Sequence, residues 1–166
     1  MTGTAPRIPV WIRAALFIVL VPGAIAGLLP WYWGGYPTPK LSGALGVAGA
    51  ALAVVGWGVL LWCARDFAVR GRGTPAPYDP PRELVVSGLY RYVRNPMYVG
   101  IVGSIIGQAA VYRSKSILWY AALVAIAFHL RVVMYEEPKL AQLFGKSFAD
   151  YRARVPRWIP RPPRDT

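Results

Sequence analysis

Two short stretches carry the residue types from which a binding or catalytic site could be built. Arg94-Asn95-Pro96-Met97-Tyr98 reads as the start of a helix, with Asn as N-cap and Pro at the first helical position. Tyr135-Glu136-Glu137-Pro138 sets two carboxylates side by side. Upstream, Glu83-Leu84-Val85-Val86-Ser87-Gly88-Leu89-Tyr90-Arg91-Tyr92 is apolar and aromatic, a composition that packs against something. A free helix amino terminus holds a carboxylate through its N–H groups. A glutamate accepts an ammonium through a charge-assisted hydrogen bond. Aromatic and aliphatic side chains sandwich a heterocycle. S-Adenosylmethionine offers carboxylate, ammonium and adenine together, although several zwitterionic ligands fit the same description.

The elements that must bring these stretches together are membrane helices. The chain has 166 residues, 55% of them apolar and only 16% charged, against roughly 25% charged in a soluble domain. Charge-free runs of 26, 24, 18 and 15 residues follow Arg13, Lys40, Arg94 and Lys115, and the last extends past Arg131 to Tyr135. About 20 apolar residues cross a bilayer, so spans are expected at about 11–30, 41–64, 95–112 and 116–135 of a single membrane domain. Arg131 can snorkel from a helix end to the headgroups. Sixteen of the 19 Lys and Arg residues then fall on the side of the two termini and the 65–94 loop. That bias orients both termini to the cytoplasm and explains the net charge of +12 without nucleic acid. The first span imitates a signal peptide, with Ala24-Ile25-Ala26 as an apparent cleavage site, but its apolar run continues to Pro30. Fifteen arginines against four lysines fit a GC-rich bacterial genome, and hence a bacterial plasma membrane. Cys63 and His129 are the only residues of their kinds, so neither a disulfide nor a metal site is expected.

Small residues at helical spacing, Gly23 with Gly27, Gly43 through Gly46 to Gly49, and Gly103 with Gly107, let helices approach closely. Trp31, Tyr32 and Trp33 form an interfacial aromatic belt. The 65–94 loop is irregular in its first half, rich in Gly and Pro. The tail has Leu140, Leu143, Phe144, Ser147, Phe148 and Tyr151 on one helical face, which describes an amphipathic helix on the membrane surface. Pro138 fits its first turn. The third and fourth spans form a hairpin joined outside by Arg113-Ser114-Lys115-Ser116, so Asn95-Pro96 and Glu136-Glu137 meet at the cytoplasmic side. Glu136 and Glu137 lie about 100° apart on a helix and do not both face one ligand. His129 reads as a helix-packing hydrogen-bonding residue.

Leu84-Val85-Val86-Ser87-Gly88-Leu89-Tyr90 followed by Arg94-Asn95-Pro96-Met97-Tyr98-Val99-Gly100 resembles the isoprenylcysteine carboxyl methyltransferase family, whose pattern is L-V-x-S-G-x-Y and then R-H-P-x-Y-x-G. The resemblance continues through Glu136-Glu137, Phe144-Gly145, Tyr151 and Val155-Pro156-Arg157, covering about residues 82–160. It implies an all-α integral-membrane methyltransferase without a Rossmann domain, and no GxGxxG follows a strand here. It also implies S-adenosylmethionine bound on the cytoplasmic side by parts of about 82–98 and 136–160. Carried over, the cofactor contacts are Leu84, Val85, Tyr90, Asn95, Pro96, Met97, Tyr98 and Glu136, with Glu83 and Tyr151 added. Glu136 is expected to take the cofactor ammonium.

Two positions depart from the family. Asn95 stands where the family has histidine, and asparagine does not titrate. Four residues before Glu136 the family has an arginine thought to meet the acceptor. Here that position is Val132. Arg131 is adjacent, but one residue turns a helix by about 100°. Arg131 and Arg94 are the candidates for an acceptor carboxylate. The reaction implied is in-line displacement of the methyl group onto a lipophilic or prenylated acceptor entering from the bilayer. A carboxylate acceptor suits a site without histidine, because no proton is removed. A phospholipid amine acceptor, and a non-catalytic membrane scaffold or transporter subunit, are the alternatives.

Overall fold

The computed structural model describes residues 10–35, 37–69 and 83–163. The irregular half of the long loop, residues 70–82, and the first nine residues with Arg7 lie outside them. Described elements are α1 (Val10–Leu20), a π turn (Ala24–Leu28), α2 (Leu29–Trp33), α3 (Ala44–Val69), a 3-10 turn (Gly88–Arg91), α4 (Pro96–Tyr112), α5 (Lys115–Arg131), a second π turn (Val132–Glu136) and α6 (Glu137–Arg154). There is no strand among the described residues. Ala44–Asp66 and the continuous Lys115–Arg154 rod are long and apolar enough to cross a membrane, whereas Ile18–Trp33 and Pro96–Tyr112 are shorter apolar helices. Their outward faces are apolar: Val54, Trp119 and Met134 are each more than 70% exposed. An apolar surface of this kind is one that a membrane or a partner covers.

Both π turns end two residues before a proline, Pro30 and Pro138. Proline has no N–H to return and its ring crowds the carbonyl four residues back. The turn widens to relieve this. At Pro30 the carbonyls that lose a donor belong to Ile25 and Ala26. Tyr120 Oη donates to Ile25 O at 3.0 Å and Gln108 Nε2 donates to Ala26 O. In an apolar surrounding an unpartnered carbonyl is expensive, so these two bonds fasten the first helix to α4 and α5. At Pro138 the helix runs through. Pro138 lies in the first turn of α6, as expected, but that helix continues directly from the π turn, so Glu136 and Glu137 lie within a continuous helical segment.

α3 and α4 pack antiparallel with their backbones in contact. A Cβ placed on Gly49 would stand 2.7 Å from Gly107 O, and one on Gly100 would stand 2.7 Å from Gly56 O. The seam thus uses two glycines seven residues apart on each helix. Gly49 and Gly107 were legible in sequence; Gly103 meets only Leu52, and Gly43 meets nothing. Around the seam Leu60, Ile101, Ile105, Ile117 and Val124 form the core with Ala26. Asn95 precedes α4 with Pro96 at its first turn, as expected, and Ser114 caps α5 by accepting from Ile117 N at 3.3 Å. Gly145, at φ +48°, kinks α6. The kink breaks the predicted apolar stripe: Phe148 and Tyr151 turn inward while Leu143 is exposed.

Candidate active site

Beyond α6 the chain turns back across the start of α4. Arg94 N donates to Pro156 O at 2.8 Å and Arg161 N donates to Tyr92 O at 3.0 Å. Asn95 Nδ2 donates to Arg157 O at 3.1 Å. Tyr151 Oη donates to Tyr90 O at 2.8 Å. These bonds gather the 84–98 stretch, the glutamates and the tail into one cluster with two charged centres.

The first centre is Glu136. Its Oε1 accepts from Tyr98 Oη and from Arg131 Nε at 2.8 Å, and Arg131 Nε also lies 3.2 Å from Tyr98 Oη. Both contacts use Oε1, which leaves Oε2 for a further donor. The π turn explains how Arg131 arrives here. Five residues separate Arg131 from Glu136, which is the spacing that stacks side chains across a π turn rather than an α turn. The 100° offset expected for an α-helix is undone, and Val132, at the position four residues back, is buried.

The second centre is Glu137, which is 8% exposed. Arg157 grips it twice, Nε to Oε1 at 2.7 Å and Nη2 to Oε2 at 2.9 Å, and Arg94 Nη1 reaches Oε1 at 2.7 Å. Burial alone would raise this carboxyl, but the hydrogen bonds from Arg157 and the charge of Arg94 hold it below the usual carboxylate range. The partners respond oppositely. Hydrogen bonding to Glu137 raises Arg157, whereas burial draws Arg94 down against the pull of Glu137. Both guanidiniums stay charged. As expected from helical geometry, the two glutamates face different partners.

Beneath these centres Cys63, Val85 and Tyr90 are buried, with Leu89 and Met97 packed on them. Gly88 adopts φ +62° where a Cβ would collide with the buried Asp66 carboxylate. Burial drives the Tyr90 hydroxyl well above its ordinary range. A groove of about 550 Å³ runs between α4 and α5, lined by Tyr98, Val102 and Ile106 on one side and Ala125, Phe128 and His129 on the other. Trp158 stands over its head and donates from Nε1 to His129 Nδ1 at 3.2 Å. Tyr98 packs on Phe128 with ring centroids 4.3 Å apart.

Of the residues singled out in sequence, Val85, Tyr90, Pro96 and Tyr151 are buried, Leu84, Asn95, Met97 and Tyr98 half-buried, and Tyr98, Arg131 and Glu136 share one centre. Glu83 is exposed and makes no hydrogen bond or ion pair to a described residue. Arg94 serves Glu137, and the Asn95 amide is given to the tail. Glu137, Arg157, Trp158 and Asp66 were not assigned roles in sequence. A second carboxylate beside the first, and an arginine just beyond a helix-ending proline, were the available signals. His129 bonds the tail rather than another helix.

The set fits the methyl donor. Glu136 Oε2 is open to an ammonium, the first-turn N–H groups of α4 lack partners within their helix, and Val85, Leu89 and Met97 supply an apolar wall. Among the described residues no three His, Cys, Asp or Glu side chains gather to hold a metal.

Among the described residues this pocket is built wholly on helices, with no Rossmann sheet. The phospholipid methyltransferase family model matches residues 45–147, and the chain belongs to that family. Its curated relatives include the cobalt-zinc-cadmium resistance protein CzcN of Cupriavidus metallidurans, 32% identical over 95% of this chain and 65% of that protein. Methanethiol S-methyltransferase 2 of Bradyrhizobium diazoefficiens is 31% identical over 86% of this chain and 58% of that protein. The protein-S-isoprenylcysteine O-methyltransferase of Schizosaccharomyces pombe is 35% identical over 46% of this chain and 33% of that protein, in accord with the resemblance seen in the motifs. The chain spans less than two thirds of the length of each of these relatives. No solved structure matches it.

Proposed function

We propose that the chain is an integral-membrane methyltransferase that moves a methyl group from S-adenosylmethionine to a lipophilic acceptor. The observation that carries this reading is the junction at Tyr98. Its hydroxyl belongs to the Glu136–Arg131 centre while its ring lines the apolar groove. A polar site for the donor thus adjoins a hydrocarbon-lined path for the acceptor. Four spans with both termini cytoplasmic, in a bacterial plasma membrane, place that junction at the cytoplasmic interface, as the charge bias requires.

S-Adenosylmethionine, when bound, supplies an electrophilic methyl group whose transfer discharges the sulfonium. Glu136 Oε2 holds an ammonium, and Arg131 and Tyr98 fix the rotamer of Glu136 so that the carboxylate is preorganised. Val85, Leu89 and Met97 exclude water from the flat face of a heterocycle. Arg131, 41% exposed, keeps donors beyond the Nε that binds Glu136 and Tyr98, and these suit an anionic acceptor head. A carboxylate acceptor arrives ready to react. This fits the absence of a titrating side chain at Asn95, and it favours carboxyl O-methylation over N-methylation of a phospholipid amine or S-methylation of a thiol.

The test is calorimetric binding of S-adenosylmethionine to the detergent-purified protein with Glu136→Gln and Tyr98→Ala alongside. Saturable binding by the wild type, weakened at least about tenfold in both variants, is expected. A labelled-methyl screen of lipid extracts follows, with the product's base lability separating an ester from an amine. A well-folded wild type that binds no S-adenosylmethionine refutes the reading and moves the chain to the scaffold alternative.

A further inference from the structure

The groove between α4 and α5 is built from the two helices along most of its length, but its head is not. There the wall is Trp158, carried by the tail from outside the helical bundle. The indole is held from both directions. Before it, Pro156 O accepts from Arg94 N and Arg157 O accepts from Asn95 Nδ2. After it, Arg161 N is bonded to Tyr92 O. Its own Nε1 donates to His129 Nδ1 at 3.2 Å, with the two rings 6.0 Å apart. A histidine that accepts at Nδ1 while neutral carries its proton on Nε2. The bond therefore fixes the ring's tautomer and its orientation in the groove wall.

A second groove of about 270 Å³ shares Val102, Ile106 and Ala125 with the first and runs on to Leu118 and Trp119. From His129 to Leu118 the seam follows α5 for eleven residues, about 16 Å at 1.5 Å per residue. The apolar trough thus runs from Leu118 to His129, with Trp158 at its head beside Tyr98.

We propose that Trp158, latched to His129, is a specificity-determining residue of this protein: it roofs the head of the acceptor groove and sets how bulky a polar group can stand next to Tyr98. The trough takes the hydrocarbon chain, and the indole limits what that chain is attached to. Asn95 becomes a positioning residue for this roof, acting through the Arg157 carbonyl rather than on the methyl donor. The proposal rests on the methyltransferase reading for what enters the groove, but not for the roof itself.

The single histidine of the chain makes the roof directly observable. Full-length protein carrying ¹⁵N-labelled histidine in detergent micelles is compared with Trp158→Phe, which keeps a six-membered ring and removes the donor together with the pyrrole ring. The expected result is a wild-type imidazole protonated on Nε2 and a shifted Nδ1 signal in the variant. N-Acetyl-S-farnesylcysteine, used as the apolar probe, shifts the wild-type signal saturably. Identical spectra in the two proteins, or a wild-type signal that ignores the probe, overturns the proposal. Labelled-methyl transfer then compares that small-headed probe with a farnesylated peptide. Trp158→Ala is expected to raise the ratio of kcat/KM for peptide over probe about tenfold, with the KM for S-adenosylmethionine unchanged. An unchanged ratio also overturns it. Transfer to neither acceptor, with the histidine response intact, refutes the methyltransferase reading and leaves the groove head standing.

Discussion

Replacing Glu137 with glutamine should release the tail without touching the Glu136 centre. In the native protein one carboxylate, 8% exposed, bridges two guanidiniums through three hydrogen bonds. Glutamine keeps the shape but leaves Arg94 and Arg157 facing each other with no anion between them. Removing one partner of a fully buried ion pair costs about 3–5 kcal/mol. Arg94 is nearly as buried as Glu137, but the Arg157 side chain is 31% exposed, and water there screens part of the loss. About 2–3 kcal/mol is therefore expected, a rise of about 30- to 140-fold in the undocked fraction of the tail. The Arg157–Trp158 bond is a trypsin site that lies inside the docked tail. Where opening is fast relative to cleavage, its rate follows the open population. Cleavage in Glu137→Gln should accelerate accordingly, while Glu136→Gln, which holds no part of the tail, should cleave at the wild-type rate. The acid dependence has a fixed sign. The Glu137 carboxyl is held below its ordinary value, so the clamp is at full strength above the usual carboxylate range, ~4.3, and is lost as pH falls below it. Wild-type cleavage rates in Glu137→Gln, or a tail that loosens on alkaline titration instead, would refute the reasoning.

Two further outcomes follow from the packing. Gly107→Ala puts a methyl group against the Ala53 backbone, where a Cβ would stand 2.6 Å from Ala53 N, whereas the same change at Gly103 meets only Leu52 Cδ1 at 3.8 Å. Gly107→Ala should cost about 1–3 kcal/mol and lower the thermal midpoint, Gly103→Ala should leave it nearly unchanged, and equal midpoints would count against the seam. Tyr120→Phe strips the donor from Ile25 O and should cost about 1–3 kcal/mol. Pro30→Ala returns an N–H to that turn, so the double variant should recover most of the loss in a double-mutant cycle; simple additivity would mean that Tyr120 does not serve the proline.

Much of the site was legible because its parts are local. Asn95-Pro96 announces a helix start through the proline of the first turn, although the Asn95 side chain bonds the tail instead of capping the helix, and the charge-free runs announce apolar helices by length. That Glu136 and Glu137 diverge follows from helical geometry alone. What sequence could not supply were features set by long-range contact. The Gly56–Gly100 half of the seam has no short-period signature, since its glycines are spaced by seven and matter only when the partner helix lies alongside. The grip of Arg157 on Glu137 spans 20 residues and a chain reversal. The role of Arg131 was obscured by counting in α-helical turns, whereas Pro138 widens the turn and moves every later side chain by one position. A proline two residues past such a segment is the signal to consult. The kink at Gly145 defeated the amphipathic stripe in the same way, because periodicity assumes an unbroken helix.

The continuity of α5 with α6 has a consequence for the lipid around the protein. From Lys115 to Glu136 the rod climbs 21 residues, about 32 Å, close to the ~30 Å of a hydrocarbon core. With no loop between them to absorb slack, the rod works as a ruler: if Lys115 sits at one face of the bilayer, the height of Glu136 above the other face is fixed. A thicker bilayer would then draw the carboxylate toward the acyl chains, and a thinner one would lift it into water, with tilt as the main remedy. On the proposed placement, acyl-chain length in reconstituted vesicles becomes a control on the site as direct as any substitution within it.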